Sequence, residues 1–424
     1  MLKPSMNTKS TNKTTSIRVF VGLSGGVDSA VSAGLLKRAG FDVTGVFIKT
    51  WHPDFLPCTW RGERRDAMRV ALALDIPFLF FDFEKEYKKG VADRMIAEYA
   101  QGRTPNPDVL CNREVKFGAF WKKAKEMGAD CIATGHYVRA ESSVDIARKS
   151  TPSSRARDAS DSRADALRDA FSPQCPLRFL EGKDKNKDQS YFLWTLNQDD
   201  LAHTLFPIGH LEKREVRKLA KKFNLPVAEK KDSQGICFIG EVSMDDFLSH
   251  FIESKPGDVL NEGGEVIGRH KGALYYTLGE RHGFEVTEKS SDDGAYYVVA
   301  KDMGKNTITV SNSEEKINKM SPSKVSLASV NWIREPREGE AIEARIRYRG
   351  ERLAISLSSQ DSSSEKSSDI PSGHGQTFLQ KNPAPSGLVV EFDNSARGLS
   401  LGQSIVFYSG NECLGGAVMD KVLE

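Results

Sequence analysis

The sequence has no run of apolar residues approaching the length of a membrane-spanning helix, so nothing in it reads as an integral helical membrane protein. Cysteine is sparse: six in 424 residues, with no short repeated spacing, which excludes a disulfide scaffold. An excess of charge is also lacking. Sixty Lys and Arg face 58 Asp and Glu, so no global basic character announces nucleic acid, although binding needs only a local patch. The opening stretch "MLKPSMNTKSTNKTTS" is polar and cationic without an apolar core. It does not read as a secretory signal, and it lacks the arginine-rich amphipathic pattern of a transit peptide. These absences point to the cytoplasm, where thiols stay reduced and a cysteine pair serves catalysis rather than scaffolding. What is present is 39% hydrophobic content, enough for two or three domains with real cores.

From Ile17 the pattern alternates between strand and helix. "IRVFVGL", "FDVTGVFIKTW", "PFLFFDF" and "ADCIATG" read as strands; "GVDSAVSAGLLKRAG", "RRDAMRVALALDI" and "EYKKGVADRMIAEYA" read as helices. That order predicts an α/β fold with a doubly wound parallel sheet, and ligands at the carboxyl ends of its strands. About 141–174 the chain is rich in Ser, Asp, Arg and Ala and reads as a mobile insertion. "LEKREVRKLAKKFNL" is an amphipathic helix with Val216, Leu219, Ala220 and Phe223 on one face and Arg214, Lys218 and Lys221 on another. That basic face is either a rail for RNA phosphates or simply solvated. Past Asp293, short alternating segments ("AYYVVAKD", "NTITV", "IEARIRYRG", "RLAISL", "GLVVEFD", "QSIVFYSG") suggest a small β-barrel or sandwich. A second low-complexity insertion, about 359–387, interrupts it. The expected organisation is a sheet domain over 16–241, a small central domain over 242–310 and a C-terminal β-barrel over 311–424.

The sharpest signal is "VFVGLSGGVDSA". A buried strand runs into Ser24-Gly25-Gly26 and a helix starts at once, so the backbone can approach an anion while helix-start N–H groups point at it. Ser24 and Ser29 add hydroxyls, and Asp28 has two uses open to it: holding a metal ion or fixing the loop. Walker A is excluded, because no lysine follows to grip the β- and γ-phosphates. Two cysteines stand in turn-like settings. Cys111 follows two prolines in "TPNPDVLCNREVKFG" and precedes a helical pattern. That places its thiol close to a helix N-terminus, where the dipole lowers a thiol pKa. Cys237 sits behind Gly235 in "KKDSQGICFIGE". Each is open to two readings, a reactive thiol or a small buried hydrophobe. Cys131, inside "DCIATG", reads as a buried strand residue. Asp108 is either an acid/base group or the cap of the turn that follows it.

"SGGVDS" resembles the PP-loop of the ATP pyrophosphatases, which cleave ATP to AMP and pyrophosphate while adenylating a substrate oxygen. With it, "GRTPNPDVLCNREVKFGAF", "ATGHYVR", "KDQSYFL", "KKDSQGICFIGE" and "GQSIVFY" are similar, in order and from about residue 17 to near the C-terminus, to the signatures of the tRNA-specific 2-thiouridylase family. The resemblance implies sulfur transfer to C2 of the wobble uridine (position 34) of tRNA, with ATP and Mg²⁺. By it, Gly22, Leu23, Ser24, Gly25, Gly26, Val27, Asp28 and Ser29 hold ATP, helped by Ile48 and by Gly135. Cys237 carries a persulfide, and Cys111 attacks it to release sulfide or resolves it as a disulfide. Asn106, Pro107 and Asp108 meet the target base, with Asp108 as general acid/base; His136, Lys187, Asp188, Gln189, Arg347, Tyr348 and Gln403 contact tRNA. No residue is assigned as a metal ligand. The implied partners are tRNA and a persulfide donor, either a cysteine desulfurase or a sulfur relay carrier. The chain departs from the family at Gln234, where threonine is common, at Ile48, a frequent methionine, and at Leu401, where proline commonly precedes the glycine. Two competing readings are a PP-loop ligase or amidotransferase acting on a small molecule and a non-catalytic tRNA-binding relative. The first leaves both cysteine settings without a role; intact Asp108, Cys111 and Cys237 argue against the second.

Overall fold

The computed structural model describes residues 16–142, 176–232, 242–287, 294–320, 322–359, 387–393 and 396–423. Most of both low-complexity insertions, and Cys175 and Cys237, lie outside the described residues. No helix among the described residues is long and apolar enough to cross a membrane.

β1 (Arg18–Gly22) is apolar on both faces, as a central parallel strand must be, and Val19, Phe20 and Val21 are buried. β2 (Asp42–Thr50), β3 (Phe78–Phe83) and β4 (Cys131–Ala133) follow, each after a helical crossover. β5 (Val138–Ser142) and β6 (Leu177–Glu181) then form an antiparallel hairpin outside this sheet, and β7 (Thr204–Leu205) returns to it. The five parallel strands run in the order β3-β2-β1-β4-β7. The chain therefore winds one way from β1 to β3 and the other way from β4, and the switch falls between β1 and β4. A crevice opens there at the carboxyl ends of the strands.

A second sheet contains β8 (Gly257–Leu260), β9 (Val266–His270), β10 (Phe284–Val286), β11 (Tyr297–Asp302) and β12 (Thr307–Ser311), with its own small core around Val259, Ile308 and Val310. "AYYVVAKD" and "NTITV" thus belong to this middle sheet and not to the terminal barrel, because β12 pairs in parallel with β8. The barrel is built from β13 (Lys324–Trp332), β14 (Glu343–Arg345), β15 (Leu353–Ser359), β16 (Leu388–Phe392), β17 (Ser404–Ser409) and β18 (Glu412–Leu423). Pairing of β13 with both β16 and β18 closes it and removes open edges. Of "IEARIRYRG" only Glu343–Arg345 is strand; Arg349 has φ of 60°, which breaks the run.

The barrel is fastened to the first domain. β6 joins β18 at Leu180 and Glu412. Buried Trp194 donates to Ser404 Oγ at 3.0 Å, and Tyr191 donates to the carbonyls of Ser404 (3.0 Å) and Ile346 (3.2 Å). Cβ-less Gly416 lets the barrel wall close on the Trp194 ring, which an added methyl would meet at 2.9 Å.

Candidate active site

The glycine loop lies at the switch point. Gly25 has φ of +75°, and a Cβ there would sit 2.5 Å from the Glu63 carbonyl oxygen, so only glycine fits. Gly26 caps the twelve-residue helix Val27–Arg38 from an extended conformation. Ser24 and Ser29 cross-brace the turn: the Ser24 N–H donates to Ser29 Oγ at 3.2 Å and the Gly26 N–H to Ser24 Oγ at 3.3 Å. From β4, Gly135 approaches the same helix start, with an added Cβ only 2.7 Å from Ser29 N. Gly22, Leu23, Ser24, Asp28, Ser29, Ile48, Gly135, His136 and Gln189 thereby line one cavity of about 200 Å³; Glu63, Lys116, Phe120, Val46, Phe47 and Thr134 complete it. Gly25, Gly26 and Val27 are not on its lining; its apolar wall from β2 suits a purine, and its rim of Gly22, Ser24, Ser29 and Gly135 a polyphosphate.

His136 is buried in this wall, with Nδ1 2.8 Å from Thr134 Oγ1 and its ring beside Phe117. Burial, and then the Lys116 charge, hold its pKa well below the ordinary imidazole value, so the ring is neutral at pH 7. Burial pushes the Glu63 carboxyl up, with Lys230 pulling against it.

Asp28 does not face an empty rim. Tyr137 OH donates to its Oδ1 at 2.7 Å, and Lys213 Nζ reaches both carboxylate oxygens at 2.8 Å. Lys213 also pairs with Asp232 at 2.8 Å, and Asp232 takes Arg217 (2.8 Å) and Lys187 (2.7 Å) as well. Burial would raise the Asp232 carboxyl, yet hydrogen bonds from Lys187 and Lys213 hold it down at about 2. Lys230 braces the loop from the other side, donating to the Gly25 carbonyl (3.0 Å) and to Asp66 (2.7 Å).

The proline loop differs from its sequence reading. The helix begins at Pro107 and not after Cys111. Asn106 is the N-cap, accepting from the N–H groups of Asp108 (3.1 Å) and Val109 (3.2 Å), with proline in the first turn. Cys111 closes this α-helical segment, Pro107–Cys111, and a π-helical stretch, Asn112–Ala119, continues it. The thiol is therefore past the first turn and fully buried in the main core, so the dipole argument does not apply to it. The loop ahead of it is a junction. Thr104 N–H donates to the Leu401 carbonyl (2.8 Å), its hydroxyl lies 3.3 Å from that of Thr277, and Arg103 pairs with Glu98 (2.8 Å) and Asp420 (3.2 Å). Arg103 and Thr104, just ahead of the Asn106–Asp108 turn, are thus tied to the first domain, the middle domain and the barrel at once.

The other expected RNA contacts are dispersed. Lys187 pairs with Asp232, and Gln189 accepts from the Tyr137 N–H at 3.0 Å. The Asp188 carboxylate is turned inward, taking the N–H of Gly182 and the hydroxyl of Ser190. Arg347 clamps the Leu278 carbonyl to that of Gly398 (3.0 Å) and lines a cavity of about 220 Å³ between the middle sheet and the barrel. Tyr348 packs on Phe192, ring centroids 4.5 Å apart. Gln403 Oε1 is buried without a partner among the described residues. On the basic helix, exposed Arg214 and Lys221 are paired with Glu212 and Glu229.

Three family models match in succession. A tRNA methyl transferase HUP domain covers residues 17–241, a tRNA methyl transferase PRC-barrel domain 245–312, and an aminomethyltransferase beta-barrel domain 376–419. Full-length relatives are similar as well. "tRNA-specific 2-thiouridylase MnmA 2" of Aliarcobacter butzleri is 39% identical over 94% of this chain and 97% of its own length. The Geobacillus kaustophilus protein of that name is 39% identical over 96% and 95%, and the Bacillus subtilis "tRNA-specific 2-thiouridylase MnmA" 38% over the same shares. The chain belongs to the tRNA-specific 2-thiouridylase family.

Within this 2-thiouridylase chain the residues that sequence reading overlooked are Tyr137, Lys213 and Asp232. Tyr137 stands inside "ATGHYVR", next to the histidine that drew attention, and Lys213 opens the helix whose outer face was counted instead. Neither signals its role locally, since both act on Asp28 across more than a hundred residues of chain.

Proposed function

We propose that the chain is an ATP-dependent tRNA uridine 2-sulfurtransferase acting on the wobble uridine. The observation that carries this reading is the switch-point cavity. It joins a glycine loop lacking a Walker lysine to an apolar wall, in a chain whose full-length relatives are named 2-thiouridylases. Uridine O2 is a poor leaving group. Attack of O2 on the α-phosphorus of ATP expels pyrophosphate and makes O2 part of a good leaving group, AMP. Asp108 serves as general acid/base at this step. A persulfide on Cys237 then delivers its terminal sulfur to C2 and AMP departs. Cys111 attacks the Cys237 sulfur, either freeing sulfide before the transfer or resolving the mixed disulfide after it. Both routes end with a Cys111–Cys237 disulfide, which a two-electron thiol reductant must reopen.

The residues fit ATP through the glycine rim, the helix start and the wall of Val46, Phe47 and Ile48. They do not form a cage for a resident Mg²⁺. Among the described residues no group of three or more His, Cys, Asp or Glu can hold a metal, and Asp28 is already taken by Tyr137 and Lys213. The ion is proposed to enter on the phosphates, and no step is assigned to it. We further propose the domain limits 16–241, 242–310 and 311–424, a cytoplasmic location, tRNA contacts at Lys187–Gln189, Arg347–Tyr348 and Gln403, and a cysteine desulfurase or relay carrier as sulfur donor. Incubation with tRNA, ATP and a persulfide donor, followed by nucleoside analysis, tests the reading. It expects 2-thiouridine at position 34, with AMP and pyrophosphate. ADP with inorganic phosphate, or no thiolated nucleoside, would overturn it.

A further inference from the structure

A loop that receives a triphosphate carries, in Asp28, a carboxylate of its own. Left bare, that charge would repel the ligand, and the loop has no lysine to offset it. The structure provides one from elsewhere. Lys213 Nζ forks onto both Asp28 oxygens at 2.8 Å, and its side chain is only 15% exposed. Its position is fixed from three sides. Asp184 accepts its backbone N–H at 2.9 Å, Asp232 takes Nζ at 2.8 Å, and the Tyr137 ring lies 5.8 Å from it. The hydrogen-bonded set contains three carboxylates, Asp28, Asp184 and Asp232, against three cations, Lys187, Lys213 and Arg217. Its charges therefore balance, and the Asp28 carboxylate is offset where it lines the cavity.

We infer that Lys213 is a positioning residue for ATP: it neutralises and orients Asp28 so that the glycine loop accepts a polyphosphate, doing from a distant helix part of what a Walker lysine does within its own loop. The inference rests on the reading that this cavity takes ATP, but not on tRNA or sulfur chemistry. Asp232 has the matching task of holding Lys213 in place, and through Lys187 it joins this set to the run 187–189 proposed to contact tRNA.

The test is calorimetric binding of ATP and of adenosine, without tRNA, to five proteins: wild type, Lys213→Met, Lys213→Arg, Asp28→Asn and the double variant Lys213→Met with Asp28→Asn. Lys213→Met should weaken ATP at least tenfold and leave adenosine within about twofold, because the lost charge matters only to phosphates. Adding Asp28→Asn to Lys213→Met should bring ATP back to within about threefold of Asp28→Asn alone, since no bare carboxylate then remains. Lys213→Arg, which keeps the charge, should bind ATP within about tenfold of wild type and covers the case in which the methionine variant fails to fold. Equal weakening of ATP and adenosine would overturn the inference in favour of a merely structural lysine. An ATP defect that Asp28→Asn does not repair would overturn it in favour of a direct grip on phosphate. If ATP binds as expected but no thiolation is found, the proposed function fails and this inference stands.

Discussion

Gly135→Ala is the cleanest perturbation of the proposed ATP site. Gly135 is not in the left-handed region, so alanine strains no dihedral there; the whole effect is steric. The new methyl would lie 2.7 Å from Ser29 N and 3.0 Å from Asp28 C, both backbone atoms of the helix start, where ordinary contact begins near 3.4 Å. Either the β4 loop or the glycine loop must retreat by several tenths of an ångström. Overpacking of this kind costs about 1–3 kcal/mol. If the cost falls on the loop's ligand-binding geometry, ATP affinity drops about 5- to 150-fold. Gly62→Ala is the control, since it lies near the same wall beside Glu63 but an added Cβ there meets nothing within 4 Å. It should bind ATP as wild type and gain slightly in stability, because alanine is the better helix former. Titration with ATP and a thermal melt on both variants decide the matter. Wild-type ATP affinity in Gly135→Ala would refute the placement of ATP against the Val27–Arg38 helix start.

Asn106→Ala should lower stability by about 1 kcal/mol by leaving the N–H groups of Asp108 and Val109 without their cap, with Asn106→Ser recovering most of it in a thermal melt. The pH dependence follows from His136, which burial holds neutral, its folded pKa lying below its unfolded value. The folded state then binds fewer protons, so this contribution is fully present above about pH 6.5 and is lost at about 1.4 kcal/mol per unit as pH falls below it. Urea midpoints measured from pH 7.5 to 5.5 should show that slope in wild type and a shallower one in His136→Gln; parallel profiles would refute it. Alkylation mapped by mass spectrometry should label exposed Cys58 first and buried Cys111, Cys131 and Cys413 last. Labelling of Cys111 as fast as Cys58 would contradict its burial.

The α/β order was legible because apolar-rich strand segments alternate with helical ones, of which Trp60–Ala73 and Asp93–Ala100 carry a 3.6 period while Val27–Arg38, buried along most of its length, does not. Partition among sheets was not. β11 and β12 look like barrel strands residue by residue, and only the parallel pairing of Thr307–Thr309 with Asp258–Leu260 assigns them to the middle. β18, Glu412–Leu423, was not among the strands expected from the sequence; Gly415 and Gly416 interrupt its apolar pattern, and there they admit the Asn331 carbonyl and the Trp194 ring. The glycine loop was readable because its requirement is local: a positive φ and a close approach need glycine at fixed positions. The cations that serve it were not, because a lysine at a helix start carries no mark of the carboxylate that folding brings to it.

Cys111 shows the same division. Two prolines and an aspartate rightly marked a rigid turn, but the first of the helical residues is Pro107, so the cysteine falls beyond the first turn and into the core. The π-helical stretch that follows has no signature in residue type, and it widens the helix where Asn112 sends its side-chain N–H to the Phe192 carbonyl at 3.0 Å. A fully buried thiol such as that of Cys111 is protected from oxidation by solvent species. If Cys111 acts as proposed, sulfur chemistry has to follow an opening of this helix.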